Sequence, residues 1–248
     1  MNRLLLILCL SLLGITTTAM ASGSGGALMQ AKVDLSNRES LQRGARIFVN
    51  YCLSCHSAAY MRFNRVGQDL GIPEDVLKRD FMFGTDKPGD TMTVAMRDED
   101  ARDYFGTAIP DLSVIARARG ADWLYTFFMT FYRDPTRPFG VNNVQFKDVA
   151  MPHVLWELQG LQRVVKERET LEDGATIERI THLELDTPGQ QSPAEYATTV
   201  QDLVNFLVYL GEPVQLQRYA IGTWVIGYLL VFLVVAWLLK REYWKDVH

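Results

Sequence analysis

The sequence predicts a mainly α-helical domain with loop insertions and one small β-hairpin, followed by a single transmembrane helix. Three observations indicate this fold class: two segments with apolar residues at helical spacing, one alternating segment around a turn signal, and an uncharged apolar run at residues 219–239. The 248 residues are 48% hydrophobic and 22% charged, which is the composition of a globular protein and not of a disordered or collagen-like chain. Because no internal repeat occurs, one domain is predicted between the two ends.

The first 21 residues have the features of a secretory signal peptide. Arg3 precedes an apolar run, and the run is followed by Ala-Met-Ala at residues 19–21, which places small residues at the two positions that a signal peptidase reads. The run is too short for a transmembrane anchor. We therefore expect residues 1–21 to be removed, a mature chain that begins near Ser22, and a domain outside the cytoplasm.

Two amphipathic helices are predicted near the two ends of this domain. The first covers residues 40–51, where apolar or small side chains recur at spacings of three and four. The second begins at Pro193, since proline is favoured in the first turn of a helix, and stops at Gly211 and Pro213. Its apolar face consists of Tyr196, Val200, Leu203, Val204 and Leu207. The two helices are expected to pack together, and Gly44 would let their backbones approach closely because it has no β-carbon.

The hairpin and the loops are predicted from turn residues. Between residues 170 and 188, apolar and polar residues partly alternate around Asp173 and Gly174, a pair that is typical of tight turns. Residues 67–89 and 133–152 are rich in Gly, Pro and Asp, which indicates extended loops. A minor content of β-strand follows from these patterns.

The predicted transmembrane helix covers residues 219–239. At about 1.5 Å per residue, its 21 uncharged residues span roughly the 30 Å hydrocarbon layer of a bilayer. Lys240, Arg241 and Lys245 follow directly, and this basic flank predicts that residues 240–248 form a cytoplasmic tail. Residues 22–218 are then the exported domain.

The exported domain is moderately acidic. Of the 25 Lys and Arg residues it keeps 21, and of the 29 Asp and Glu residues it keeps 27, because four basic and two acidic residues lie outside residues 22–218. Its formal net charge is therefore about −6. Such a surface disfavours nucleic acid and suits a basic protein partner, so a lipid bilayer and proteins are the expected partners.

Residues Cys52-Leu53-Ser54-Cys55-His56 have the C-x-x-C-H arrangement of a c-type haem attachment site. In this arrangement two thiols add to the haem vinyl groups and the adjacent imidazole reaches the iron. A thioredoxin-like redox pair would need a preceding strand pattern, and half of a zinc site would need a second cysteine pair. The single motif predicts one covalent haem c that is attached through Cys52 and Cys55, with His56 as an axial iron ligand.

A low-spin electron carrier needs a second axial ligand, and methionine sulfur favours a high reduction potential. The methionines of the mature chain are Met29, Met61, Met82, Met92, Met96, Met129 and Met151. Met151 is the leading candidate, because it follows a loop and precedes Pro152, which biases its backbone towards an extended conformation. Met29 is expected in a flexible leader. His153 stays an alternative ligand, and His182, in the polar hairpin, is a weaker one.

Two arginines are candidates for binding the haem propionates. Residues 109–113 predict a turn, and residues 114–119 predict a basic helical segment that contains Arg117 and Arg119. Guanidinium groups bind carboxylates well, so either arginine could hold a propionate. The alternative is that both are solvated side chains on the helix surface.

The order of these features along the chain resembles the cytochrome c1 family, the haem subunits of the quinol:cytochrome c reductase (cytochrome bc1) complex. The matching segments are residues 43–48 (Arg-Gly-Ala-Arg-Ile-Phe), 52–56, 110–113 (Pro-Asp-Leu-Ser), 117–119 (Arg-Ala-Arg) and 150–152 (Ala-Met-Pro). The single C-terminal anchor matches as well, so the resemblance covers nearly the whole chain. One departure is Ile109, since many relatives have a second proline before Pro110.

The resemblance implies that Met151 is the sixth iron ligand, that Arg119 lies near a propionate and that Pro110 belongs to the wall of the haem site. It implies a c-type cytochrome domain in the bacterial periplasm, anchored in the inner membrane within a dimeric complex. The implied electron route runs from the Rieske iron-sulfur subunit, beside cytochrome b, through this haem to a cytochrome c, without substrate chemistry on this chain. A membrane-tethered cytochrome that works alone, or a haem peroxidase or gas-binding protein with an open iron site, are the alternatives.

Overall fold

The computed structural model describes residues 27–94, 96–170 and 176–246. The predicted signal peptide at residues 1–21, the turn signal at Asp173 and Gly174, and the last two residues of the predicted tail lie outside the described residues. Within them the chain forms α-helices and three two-stranded antiparallel sheets. The predicted mainly helical fold class is confirmed.

The first helix leads directly to the C-x-x-C-H motif. Helix α1 (Arg38–Ile47) continues without a break into one π-helical turn (Phe48–Cys52). The helix predicted over residues 40–51 is therefore present, but its last turn is wider than an α-helical turn. Single π-helical turns occur frequently at functional sites, and this one ends on Cys52.

The middle of the chain supplies short helices and two short two-stranded antiparallel sheets. In chain order these elements are β1 (Ala58–Arg62), α2 (Phe63–Leu70), α3 (Glu74–Asp80), β2 (Thr91–Met92), α4 (Asp98–Phe105), α5 (Ile115–Arg119), α6 (Ala121–Met129), β3 (Phe131–Arg133) and β4 (Val141–Asn143). Strand β1 pairs with β2, and β3 pairs with β4. The basic helical segment predicted before residue 119 corresponds to α5.

Part of the region predicted as loop, residues 67–89, is helical. Helix α3 carries Glu74 and Asp75 in its first turn and basic residues in its last turn, which complements the helix dipole. Lys78 Nζ also lies 2.6 Å from a carboxylate oxygen of Glu74, one turn away. Charge pattern thus stabilises a helix between the Gly and Pro residues. Residues 133–152 are irregular apart from the end of β3 and the whole of β4.

The hairpin predicted between residues 170 and 188 is present and is longer than expected. After α7 (Trp156–Gln159), strand β5 (Gly160–Thr170) pairs antiparallel with β6 (Thr176–Pro188) along its whole length. The first strand therefore lies entirely before the alternating segment. Two register shifts in this ladder interrupt the two-residue repeat of side chains, so β5 does not show simple alternation in the sequence.

The second predicted helix is α8 (Pro193–Gly211), and it packs against α1. Ser192 and Glu195 form a reciprocal capping box at its start. All five residues of its predicted apolar face are at most 1% exposed. A β-carbon on Gly44 would lie 2.1 Å from the backbone oxygen of Asp202, so the predicted close approach of the two helices is confirmed.

The segment before α1 is held against the helices. The backbone N–H of Met29 donates to the hydroxyl of Thr126 at 2.8 Å, and that of Ala31 donates to a carboxylate oxygen of Asp122 at 2.7 Å, both on α6. Further along the segment, two N–H groups donate to side chains of α8. The expectation of a flexible leader at Met29 is therefore wrong, because side-chain acceptors on two helices bind its backbone.

Helix α9 (Gln215–Tyr243) contains the apolar run at residues 219–239. It is 29 residues long, and none of its most apolar window is buried inside the protein. By length and composition it can cross a membrane. The helix is longer than the apolar run because polar residues continue it at both ends.

Candidate haem site

A cavity of about 400 Å³ lies between the π-helical turn, α5, α6, α8 and the segment that precedes α7. The residues predicted from the sequence to hold a haem all line it: Cys52, Cys55, His56, Pro110, Arg119 and Met151. They come from three separate regions of the chain: residues 52–56, 110–119 and 151. The fold therefore brings the predicted thiols, imidazole, thioether and guanidinium to one place.

Aromatic rings form much of the remaining wall. The aromatic side chains that line the cavity are Tyr51, Phe105, Trp123, Phe127, Phe128 and Phe146. Trp123 stacks on Phe127 with their ring centroids 5.2 Å apart. The sequence patterns did not predict these residues as part of the site, although the apolar stretch that becomes α6 contains three of them. Flat apolar side chains of this kind exclude water and suit an extended aromatic ligand.

The motif folds as a tight turn. The backbone oxygen of Cys52 accepts hydrogen bonds from the N–H groups of Cys55, at 3.0 Å, and His56, at 2.8 Å. Both cysteines are free thiols. Burial, and to a smaller extent the nearby Cys55, raises the pKa of the Cys52 thiol to about 12. A redox dithiol needs a lowered pKa, so this environment argues against the thioredoxin-like alternative.

The zinc alternative lacks ligands in the part of the chain that the structure describes. Within it, no group of three or more His, Cys, Asp and Glu side chains is arranged to hold a metal ion. A structural zinc site uses four such ligands. Cys52 and Cys55 thus have no partners for one among the described residues.

The imidazole of His56 is oriented by the backbone of Pro110. Nδ1 of His56 lies 2.8 Å from the carbonyl oxygen of Pro110. Because a carbonyl oxygen can only accept, Nδ1 carries the proton and Nε2 keeps its lone pair. Burial lowers the pKa of His56, and the Pro110 carbonyl partly opposes this effect. A neutral imidazole with one nitrogen held by a carbonyl and the other free is the form that binds a metal.

The segment around Pro110 is bonded to the chain that follows the motif. The N–H of Leu112 donates to the backbone oxygen of Ser57 at 2.7 Å, and the N–H of Ala59 donates to the carboxylate of Asp111 at 2.9 Å. The N–H of Tyr60 likewise donates to the hydroxyl of Ser113 at 3.1 Å. These hydrogen bonds hold residues 110–113 against the chain after the motif and keep the Pro110 carbonyl beside His56.

The two candidate arginines have different surroundings. The guanidinium carbon of Arg119 lies 5.0 Å from the ring centroid of Trp123, and the side chain lines the cavity. Within the described residues Arg119 forms no ion pair. Arg117 is outside the lining, and its guanidinium lies 3.8 Å from the carboxylate of Glu212. Arg119 is thus the arginine placed to meet a carboxylate inside the cavity.

Of the candidate second ligands, Met151 is the one that lines the same cavity as Cys52, Cys55 and His56. Among the described residues it is the one methionine that lines the cavity. His153 is buried, stacks on Phe131 with the ring centroids 4.8 Å apart, and is not part of the lining. His182 is half exposed on the hairpin beside Glu184. This placement favours Met151 over both histidines.

Together these residues fit a covalent haem c. Two free thiols, a neutral imidazole with an available Nε2, a thioether and one guanidinium face the same largely apolar space. These are the groups that attach, ligate and anchor such a cofactor.

Known proteins are similar to this chain over nearly its whole length. Residues 29–247 match the Cytochrome C1 family. The chain is 50% identical to cytochrome c1 of Allochromatium vinosum over 98% of this chain and 99% of that protein. It is 46% identical to a protein of Nitrosomonas europaea named ammonia monooxygenase gamma subunit, over 99% of this chain and 100% of that protein. It is 26% identical to cytochrome b/c1 of Bradyrhizobium diazoefficiens, covering 86% of this chain and 34% of that longer protein.

Family members carry a covalently bound haem c and serve as the haem-containing electron-transfer subunit of an oxidoreductase complex. The apolar helix α9, exposed on all sides, agrees with a membrane-anchored protein. The match to the family covers almost all of the sequence and includes every residue that lines the cavity. The chain belongs to the cytochrome c1 family.

Proposed function

We propose that this chain receives electrons from a Rieske iron-sulfur subunit and passes them through one haem c to a cytochrome c, as a subunit of quinol:cytochrome c oxidoreductase. The observation that carries the proposal is the joint placement of Cys52, Cys55, His56 and Met151 on one apolar cavity. The family match over residues 29–247 supports the electron route.

Each residue at the site has a separate task. Cys52 and Cys55 would hold the cofactor covalently, and His56 and Met151 would bind its iron. When bound, haem c supplies a reversible one-electron change at its iron. The carbonyl of Pro110 keeps the His56 ring in the tautomer with a free Nε2. No side chain has to act as an acid, base or nucleophile.

The surroundings of the ligands favour the reduced state. A thioether ligand from Met151 would stabilise ferrous iron relative to a second nitrogen ligand, and the aromatic wall would keep water away from the cofactor. Arg119 supplies the positive charge that faces the cavity, and it would pair with a propionate. A high reduction potential follows from these three features, which suits delivery of electrons to a cytochrome c.

The proposed topology places the site outside the cytoplasm. Residues 1–21 are the signal peptide, residues 22–218 form the periplasmic domain, residues 219–239 cross the bacterial inner membrane, and residues 240–248 form the cytoplasmic tail. Helix α9 and its basic end support the anchor and its direction.

Cytochrome b is the proposed partner within the membrane. The Bradyrhizobium relative supports this, because its name combines cytochrome b with c1 and this chain covers 34% of its length. A dimeric complex is the assembly that the family resemblance implies.

The Nitrosomonas relative suggests a second set of partners. Its identity of 46% is close to the 50% of the Allochromatium cytochrome c1, so sequence identity alone gives the two assemblies similar support. The cytochrome c1 assignment is preferred because the family match extends over residues 29–247.

Purification from membranes in mild detergent tests the partners. We expect this chain to copurify with a b-type cytochrome and an iron-sulfur protein. Recovery with ammonia monooxygenase subunits instead would replace the proposed partners, and recovery alone would support a membrane-tethered cytochrome that works by itself.

The variant Met151→Leu tests the proposed axial ligand. Leucine has a similar volume but no sulfur, so we expect loss of the sulfur-ligated low-spin spectrum and a new ability to bind carbon monoxide. Met92→Leu is the matched control, because Met92 is buried in the core and is not part of the cavity lining. Ready binding of carbon monoxide by the unaltered protein would contradict the proposal and favour an open-site haem protein.

A further inference from the structure

The segment that carries Met151 has none of the regular backbone hydrogen bonds of a helix or a strand. Residues 144–152, between β4 and α7, form neither helix nor strand, yet Phe146, Val149 and Met151 all line the cavity. A chain without regular hydrogen bonds keeps one conformation only if other groups bind its backbone. Two consecutive asparagines at the end of β4, together with Arg137, supply such groups here.

Asn142 binds the middle of the segment, at Asp148. Its side chain is buried, and Oδ1 accepts hydrogen bonds from the N–H groups of Asn143, at 2.9 Å, and Asp148, at 2.8 Å. Its Nδ2 donates to the carboxylate of Asp134 at 2.9 Å. The amide thus connects the β3–β4 hairpin to the residue that lies three positions before Met151.

Asn143 binds the start of the segment and connects it to the wall of the cavity. Its Oδ1 accepts from the N–H groups of Gln145, at 2.8 Å, and Phe146, at 3.0 Å. Its Nδ2 donates to the backbone oxygen of Phe127 at 2.7 Å. Phe127 and Phe146 both line the cavity, so this one amide connects two parts of its wall.

Asp148 is held in an unfavourable backbone conformation. Its φ of 61° is the one positive φ of a non-glycine residue in the described part of the chain. Besides the bond from its N–H to Asn142, its backbone oxygen accepts from Nη2 of Arg137 at 2.9 Å, and its carboxylate lies 3.3 Å from Nη1 of the same arginine. Such conformations persist only where the surroundings impose them, and they concentrate at functional sites.

We propose that Asn142 and Asn143 are positioning residues for Met151: they hold residues 145–148 so that the thioether stays in the cavity wall. The inference rests on the proposed role of Met151 as an iron ligand, and it identifies what keeps that ligand in place. Neither asparagine lines the cavity, so each acts through the segment and not on the cofactor. The two buried amides bind backbone N–H groups that no helix or strand would satisfy.

The experiment compares Asn142→Ala and Asn143→Ala with Asn205→Ala in the full-length haem-loaded protein. Asn205 is a matched control, since it is equally buried and its side chain binds Ser40 and the N–H of Asp34, away from the Met151 segment. Three quantities are measured: the sulfur-to-iron charge-transfer absorption of the ferric protein, the reduction potential, and the fraction that binds carbon monoxide.

For Asn142→Ala and Asn143→Ala we expect a weaker charge-transfer absorption, a lower potential and a roughly tenfold higher fraction that binds carbon monoxide, because loss of a buried hydrogen-bonding side chain shifts an equilibrium by about that factor. Asn205→Ala is expected to lower thermal stability without changing these three quantities. A purely structural role for the pair would make all three variants behave alike, and that result would overturn the proposal.

Arg137→Gln gives a second test if the asparagine variants fail to fold. This side chain is 28% exposed and its loss releases the backbone oxygen of Asp148, so the same three changes are expected in smaller degree.

Met151→Leu gives the spectrum without the sulfur ligand. If it retains the sulfur absorption, the ligand assignment itself is wrong and the positioning role falls with it. If it loses the absorption while the asparagine and Arg137 variants keep theirs, only the positioning role is wrong.

Discussion

The carbonyl oxygen of Pro110 lies 2.8 Å from Nδ1 of His56, and this contact determines which nitrogen of the imidazole carries the proton and which keeps its lone pair. The position of the carbonyl depends on the residues that follow it. Asp111 accepts hydrogen bonds from the N–H groups of Ala59, at 2.9 Å, and Ser113, at 2.7 Å. Pro110 is thus held beside His56 by a carboxylate that does not line the cavity.

Replacement of Asp111 by alanine should loosen this arrangement. We expect the free energy of unfolding to fall by about 1 kcal/mol, since two hydrogen bonds to a carboxylate are lost but water can replace part of each at an exposed site. Denaturant unfolding of the solubilised protein, followed by the low-spin haem spectrum, measures the change. Asp103→Ala removes an exposed carboxylate from α4 and should change the stability by less than about 0.5 kcal/mol. Equal effects of the two variants would show that Asp111 has no special role.

Replacement of Arg119 by glutamine should lower the reduction potential. Removal of a positive charge that faces the cavity favours the ferric state, and the expected shift is on the order of tens of millivolts. Arg117→Gln is the control, because the Arg117 side chain is 64% exposed and lies near Glu212 outside the cavity lining. A redox titration of both variants measures the shifts. A larger shift for Arg117→Gln would contradict the assignment.

Replacement of Gly44 by alanine should separate α1 from α8. The added β-carbon would lie 2.1 Å from the backbone oxygen of Asp202, an atom that cannot move without its helix. We expect the free energy of unfolding to fall by about 3 kcal/mol, the upper part of the range for overpacked cores. Gly84→Ala is the control, since nothing lies within 4 Å of the β-carbon it would add. Chemical denaturation distinguishes the two, and a Gly44→Ala protein as stable as Gly84→Ala would refute the close approach.

Acid should destabilise the protein through His153. Burial, only partly opposed by Gln159, lowers the pKa of His153 from 6.5 to about 4. Between these two pH values the unfolded chain takes up a proton that the folded chain does not. The free energy of unfolding therefore decreases as the pH is lowered, by up to about 3 kcal/mol. Above the unfolded pKa the effect is absent.

His153→Phe should remove this contribution, and its phenyl ring can take the place of the imidazole that stacks on Phe131. We expect the difference in unfolding free energy between about pH 7 and about pH 4 to become smaller in this variant. If His153→Phe follows the unaltered protein at all pH values, burial of the neutral ring has been misjudged.

Sequence patterns predicted elements well where the determining interactions are local. The capping box and Pro193 mark the start of α8, and the helical spacing of its apolar residues matches its buried face. Local patterns failed where Gly and Pro residues flank a short charged helix, as at α3, or where register shifts broke the alternation of β5. They also failed at Met29, because the groups that bind its backbone lie on α6, far along the chain.

The sequence by itself determined the haem attachment motif, the two helices that pack around Gly44 and the apolar helix at the C-terminal end, because spacing between neighbouring residues specifies each of them. Tertiary structure alone decided which methionine and which arginine line the cavity, which nitrogen of His56 is free, and that Asn142 and Asn143 hold the Met151 segment. The physical reason is that each of these depends on a contact between side chain and backbone from separate segments. Several residues can satisfy the same local pattern, and only the packed fold selects among them.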